Sequence, residues 1–153
     1  MGLGQSGEII EIASNALNQI TKRKPSPRNA KKSQRDWGVR KGEPIGVIVT
    51  VRGKDATILL KRLFQGVNNQ IKEKSFDDEG NVSFGIKEHI DIPDVKYDPK
   101  IGILGLEVAA SLTRPGFNIK LRSKQKSKIG RQHRITKHEA QEFFTKQFGV
   151  TLV

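Results

Sequence analysis

Three histidines, sixteen carboxylates and no cysteine are the raw material for catalysis in this chain of 153 residues. Acid–base, nucleophilic and metal chemistry each need such groups at set spacings. His89, His133 and His138 share no ligand spacing, and HEAQE at 138–142 misses the zinc pattern HExxH because Glu142 stands where the second histidine belongs. Asp77, Asp78 and Glu79 lack the alternation of a calcium loop and read as a turn. Asp91, Asp94 and Asp98 could hold magnesium in a nuclease, but with Pro93 among them they read more simply as an acidic loop. No serine or threonine sits in a nucleophile motif. Disulfides and thiolate metal sites are excluded. The expectation is no enzyme, no metal and no cofactor. GLGQSG at 2–7 matches the dinucleotide pattern G-x-G-x-x-G, yet only Met1 precedes it, and Lys22 and Arg23 stand near the place of the ribose-binding acid. Gly2 and Gly4 read better as points where backbone approaches a partner, before a helix N-terminus able to accept phosphate.

The residue types that are concentrated are lysine and arginine. Net charge is +12, yet residues 22–41 hold nine cations against one acid, Asp36, and residues 114–137 hold nine cations and no acid. These segments total +17, so the remainder carries −5. Basicity packed into two stretches of a mildly acidic body points to a polyanion. Neither stretch is an amphipathic helix, so nucleic acid fits better than a membrane surface. No apolar run approaches the roughly 18 residues of a membrane span, and the N-terminus lacks a signal-peptide layout, which predicts a cytoplasmic protein. Three classes remain: a structural RNA-binding protein, a nuclease-like enzyme with a basic cleft, and a basic DNA-packing protein. Trp37 is the only tryptophan and lies in polar sequence, RDWGVRK. It is expected at an exposed loop tip, with Arg35, Arg40 and Lys41 as phosphate contacts and Gly38 turning the chain. The competing reading folds it back onto a sheet edge.

Local pattern supplies the elements that must position these cations. Ser6 can cap a helix to about Ile20, with Ile9, Ile12, Ala13, Ala16, Leu17 and Ile20 on one stripe. Pro25 and Pro27 then impose a loop or short extended arm. In a strand over Ile45–Arg52, Ile45, Val47, Val49 and Val51 face a core, while Ile48, Thr50 and Arg52 face away. Asp55 can cap a helix over about Ala56–Lys72, with Leu59, Leu60, Leu63, Phe64, Val67 and Ile71 as its stripe. Short strands follow before Pro93, and Leu106, Val108, Ala110 and Leu112 alternate in another. If the next stretch is extended, Lys120, Arg122, Lys124, Lys126 and Lys128 line one face. Thr136 caps a last helix carrying Ala140, Phe143, Phe144 and Phe148, which Gly149 ends before a terminal strand. The order α, β, α, β, β, β, α, β predicts one α+β domain over residues 1–153. Its expected build is a twisted, mostly antiparallel sheet with helices on one face and the other open to RNA.

Three strings carry a resemblance: RDWGVRKGEPIGVIVTVRG, SFDDEGNVSFGIKEHIDIPDVKYDPKIGILGLEV and KSKIGRQHRITKHEAQEFFTKQFGV. They resemble the universal large-subunit ribosomal protein of the L-five family over about Gly2–Val153. The basic stretch near Lys120–Arg134 resembles its archaeal type. The resemblance implies a nonenzymatic protein that binds 5S rRNA in the central protuberance of the large subunit, beside large-subunit rRNA and a neighbouring 5S-binding ribosomal protein. It also implies contact with tRNA in the peptidyl site and with a small-subunit head protein at an intersubunit bridge. Carried onto this chain, the 5S-facing residues are Gly2, Gly4, Gln5, Lys22, Arg23, Lys24, Asn29, Lys31, Lys32, Thr50 and Arg52. The tRNA-directed loop is Arg35, Trp37, Gly38, Val39, Arg40 and Lys41. Lys120, Arg122, Lys124, Lys126, Lys128, Arg131 and Arg134 form a further RNA-contacting segment. Two departures stand out. The family's N-terminal strand, ending in an RNA-contacting asparagine, is expected to be missing before Met1. Lys22-Arg23 also replaces the family's usual Gly-Gln, so the glutamine contact does not carry over, although Arg23 can offer a phosphate contact instead.

Overall fold

Apolar residues spaced three and four apart make helix α1 (Glu8–Thr21), which buries Ala13, Ala16, Leu17 and Ile20. The computed structural model describes residues 1–153 apart from Gln5 and Lys96. Gly7, not Ser6, occupies the N-cap of α1, and no side chain caps it. The Ser6 hydroxyl donates instead to the Glu43 carboxylate, since a charged acceptor forms the stronger bond. At its other end α1 closes on Lys22, whose backbone is left-handed at φ 53° and whose N–H reaches the Asn18 carbonyl at 2.8 Å.

Pro25 and Pro27 give the expected extended arm. Strand β1 (Ser26–Asn29) pairs antiparallel with β2 (Pro44–Ile48), from Ser26 opposite Ile48 to Asn29 opposite Pro44, with a register shift between Arg28 and Asn29. Pairing stops at Ile48, short of the expected Arg52, because Pro25 has no N–H with which to extend β1. The inward and outward alternation nevertheless persists. Val47 is buried and Val49 and Val51 half-buried, while Ile48, Thr50 and Arg52 are exposed. Met1–Gly4 lie along the other edge of β2, where the Val47 N–H meets the Met1 carbonyl at 2.9 Å and the Leu3 N–H meets the Ile45 carbonyl at 2.9 Å. A Cβ on Gly46 would stand 2.8 Å from the Met1 carbonyl oxygen, so this close approach requires glycine. One apolar cluster, Ala13, Leu17 and Val47 with Met1, Leu3, Ile10, Val49 and Leu104 against it, seats α1 on β2.

Helix α2 (Lys54–Gln65) buries Leu63 and Phe64. It is shorter than the expected Ala56–Lys72. Gly53 takes the N-cap in place of Asp55, and Asn68 and Asn69 both adopt left-handed backbone, at φ 54° and 55°. That pair ends the helical path, and Ile71 enters strand β3 (Gln70–Ile71) instead. Arg62 donates to the Pro93 carbonyl at 2.7 Å and the Ile20 carbonyl at 3.4 Å, joining α2 to the end of α1. His89 is wholly buried, and its Nδ1 accepts the Leu104 N–H at 3.3 Å.

The residues group into two compact units, Met1–Val67 with Gly85–Glu107, and Asn68–Phe84 with Val108–Val153. Strands β4 (Asn81–Ile86) and β5 (Leu106–Ser111) pair with each other and have residues in both. In the second unit β3 pairs in parallel with β6 (Thr151–Leu152). A one-turn helix α3 (Asn118–Leu121) precedes α4 (Lys137–Phe148). Helix α4 begins as expected. The Thr136 side chain accepts the Glu139 N–H, and the Glu139 carboxylate accepts the Thr136 N–H. Gly149 closes it, its N–H on the Thr145 carbonyl at 3.0 Å. Phe144 is fully buried, stacked on Phe148 and edge-on to Phe76. The class is the α+β expected, with the described strands in three two-stranded sheets. No described helix is long and apolar enough to cross a membrane.

Candidate nucleic-acid interface

In the first unit the C-terminus of α1 and the outward face of β1–β2 enclose an open groove of about 540 Å³. Its lining is Lys22, Arg23, Lys24, Ser26, Arg28, Ile48, Val49 and Thr50, four cations with no carboxylate. Helix α1 delivers Lys22–Lys24 because its chain turns at the left-handed Lys22. Strand β1 delivers Ser26 and Arg28 by its period of two. The Thr21 hydroxyl donates to the Leu17 carbonyl at 2.7 Å and accepts the Arg23 N–H at 3.3 Å, which fixes the exit of the helix. Arg23 also pairs with Asp55, though both side chains are about half exposed, and a pair so solvated yields readily to a phosphate. Arg52 is exposed four residues beyond the end of β2 and does not line the groove. Gly2 and Gly4 are exposed on the N-terminal edge of β2. Gln5 lies outside the described residues.

Beyond β1 and β2 the hairpin continues toward its tip. The Ala30 N–H meets the Glu43 carbonyl at 2.8 Å, and Gln34 and Val39 exchange both backbone bonds, at 2.8 and 3.0 Å. One turn of 3-10 helix, Arg35–Trp37, forms the end, closed by Gly38 at φ 64° with its N–H on the Arg35 carbonyl. Trp37 is 77% exposed, so the reading that folds it onto a sheet edge is excluded. Arg35, Arg40 and Lys41 are exposed around it, Val39 is half-buried, and Asn29, Lys31 and Lys32 are exposed along the hairpin. Glu43 braces this arm. Hydrogen bonds from the Ser6 hydroxyl and from the Arg40 N–H at 3.0 Å hold its carboxyl below the usual carboxylate range.

In the second unit the cations of 120–134 do not form the one-sided ladder that an extended chain would give. Residues 118–121 coil into α3, Gln125 turns with φ 49°, and Leu121 is 79% exposed. A strand needs a backbone partner, and no described strand pairs with this stretch. Lys120 pairs with Glu79 at 2.9 Å, the Arg122 Nε donates to the Gln125 carbonyl at 2.9 Å, and the Arg134 Nε donates to the Ile129 carbonyl at 3.3 Å. Lys124, Lys126, Lys128 and Arg131 are exposed. Phe117, Lys120, residues 126–129, Arg134 and Ile135 line a cavity of about 470 Å³ together with Glu79.

The structure thus gathers Lys22, Arg23, Lys24 and Thr50 into one groove, sets the residues of the tip together, and places 120–134 in the other unit. Sequence reasoning missed Arg28, Ser26 and Ile48 as groove residues. Ser26 and Arg28 share a parity within SPRN, but only the pairing with β2 reveals which way they face. It also missed Phe117, Ile129 and Ile135 inside the second cavity. Among the described residues no three His, Asp or Glu side chains converge as metal ligands.

Residues 44–143 match the model of the C-terminus of the ribosomal L-five protein family. The chain is 60% identical to the large ribosomal subunit protein uL5 of Nitrosopumilus maritimus over 152 residues, 99% of this chain and 88% of that protein. Against the protein of the same name from Cenarchaeum symbiosum the identity is 58% over 153 residues, 100% of this chain and 90% of that one. Against that of Pyrobaculum aerophilum it is 53% over 150 residues, 98% of this chain and 84% of that one. A basic hairpin, a basic groove and identity of this order over almost the whole length agree: the chain belongs to the ribosomal L-five protein family, in its archaeal type, as an RNA-binding, non-enzymatic protein of the large ribosomal subunit.

Proposed function

We propose that this large-subunit protein binds 5S rRNA through its first unit and directs the tip of its long hairpin at tRNA in the peptidyl site. The groove of Lys22, Arg23, Lys24 and Arg28 beside the exposed Thr50 carries the reading, because it sets cations and hydroxyls along one concave surface without a carboxylate. Lysine and arginine there displace counterions from phosphates, and Ser26 and Thr50 can bond 2′-hydroxyls. Arg52, Asn29, Lys31 and Lys32 extend the contact, and the backbone at Gly2 and Gly4 allows close approach. The tip, with Trp37 between Arg35 and Arg40, has a flat ring for stacking and cations for phosphates. The segment 120–134 contacts further large-subunit rRNA. A neighbouring 5S-binding protein and a small-subunit head protein complete its cytoplasmic surroundings.

Competition decides the matter. The chain, bound to labelled 5S rRNA at near-physiological salt, should be displaced by unlabelled 5S rRNA at concentrations where duplex DNA of equal phosphate number leaves it bound. Equal displacement by the two would overturn the assignment and leave a nonspecific polyanion binder.

A further inference from the structure

The cavity in the second unit has a lining of two chemistries. Phe117, Ile129 and Ile135 supply an apolar lining, and Lys126, Lys128 and Arg134 supply cations. A fourth cation there, Lys120, is neutralised by Glu79 at 2.9 Å, so the free charge lies with the other three. The walls are cross-braced despite their charge. The Ser127 N–H meets the Ile119 carbonyl at 3.3 Å, and a His133 ring nitrogen lies 2.8 Å from the Pro115 carbonyl oxygen, beside Phe117. A volume near 470 Å³ falls within the roughly 300–1,000 Å³ typical of sites for small molecules.

Cations alone would suit any phosphate, and an apolar pocket alone any greasy group. The combination suits an occupant that is flat and apolar at one end and anionic at the other. A base-paired helix keeps its base faces stacked and offers phosphates, 2′-hydroxyls and base edges, all polar, which leaves the apolar lining unused. We propose that this cavity receives a single unstacked nucleotide of ribosomal RNA, its base against Phe117, Ile129 and Ile135 and its phosphates on Lys126, Lys128 and Arg134. The inference rests on the reading that 120–134 faces ribosomal RNA, and it adds that this contact selects single-stranded, splayed nucleotides.

The test uses the full chain labelled at isoleucine methyls, with two probes: a single-stranded adenosine pentanucleotide, and an RNA duplex of equal phosphate number. Binding is read locally, from the methyl resonances of Ile129 and Ile135. The single strand should move both resonances at lower concentration than the duplex. Phe117→Ala should weaken the single strand about five- to 140-fold, the worth of one stacked base, with its salt slope unchanged and the duplex unaffected. If Phe117→Ala loses the dispersion of a folded protein, Phe117→Leu replaces it, keeping apolar volume while removing the ring. Lys126→Ala with Lys128→Ala should flatten the single-strand salt slope by about 1.4 units. Equal binding of both probes, indifferent to Phe117, would overturn the pocket and leave a basic RNA surface. Methyl resonances unmoved by either probe would overturn the RNA-facing reading of the segment together with the pocket.

Discussion

At the scale of single residues, Trp37 is the proposed anchor of the hairpin tip and also its reporter. An indole 77% exposed on a hairpin tip should emit at the long wavelength of a solvated ring and be quenched freely by iodide or acrylamide in the free protein. Isolated 5S rRNA should leave that quenching almost unchanged, whereas tRNA bound in the peptidyl site of the ribosome should protect the ring. A blue-shifted, unquenchable Trp37 in the free chain would contradict the hairpin geometry. Lys22 gives a second prediction. It holds a left-handed backbone, φ 53° and ψ 29°, where glycine is the ordinary choice. Lys22→Gly should stabilise the fold by about 0.5–1 kcal/mol, read as a raised midpoint in urea. It should also weaken binding of 5S rRNA by removing a groove cation. A lowered midpoint would show that the Lys22 side chain stabilises the fold more than its backbone strains it.

At the scale of elements, α4 shows how a local signal becomes stability. Thr136→Ala removes the side-chain cap and should cost about 1 kcal/mol in unfolding free energy. The other half of this cap titrates. The Thr136 N–H, with Arg114 in support, holds the Glu139 carboxyl below its ordinary range. For Asp77 burial pushes upward, but hydrogen bonds from the Asn81 side chain and the N–H groups of Asn81 and Glu79 win and hold it low. A carboxylate lowered on folding adds stability that is full above its unfolded value and is lost as pH falls through the folded one. The melting temperature should therefore hold near pH 6 and fall as the solution is acidified through the carboxylate range. Glu139→Gln should blunt part of that fall; an unchanged acid profile in that variant would remove the cap from the account. Helix α4 was legible in the sequence because Thr136, Glu139 and Gly149 act within one turn of their own positions. Helix α2 was overrun because Val67 and Ile71 keep the helical stripe while Asn68 and Asn69 turn the backbone out of it. Helix α3 was illegible, since alternating lysines look extended and nothing in their own order shows that no described strand pairs with them. The groove was legible in its cations and not in Arg28, whose direction depends on pairing with a strand sixteen or more residues away.

At the scale of the whole molecule, charge governs association. Binding of 5S rRNA should weaken steeply with salt, with a log–log slope of roughly −0.7 to −0.9 per phosphate neutralised. Replacing Lys31 and Lys32 together by Ala should flatten that slope by about two units if both meet phosphate, measured by titration across potassium concentrations. An unchanged slope would release both lysines from the interface. The pairing of β3 with β6 has a consequence of another kind. Gln70 and Ile71 meet Thr151 and Leu152, so the second unit closes only when segments some eighty residues apart in the chain find each other. Closing a loop of that length costs entropy before any contact offsets it, and distant pairing slows folding. Helix α4, capped by its own neighbours, can form early, with Phe144 waiting for cover. The long hairpin of the first unit joins nearer neighbours, Ser26–Asn29 with Pro44–Ile48, and can form ahead of that closure. An incomplete chain would therefore present a finished basic hairpin on one unit together with an unfinished aromatic core in the other, and the order in which the chain folds would decide whether RNA meets it before or after that core is sealed.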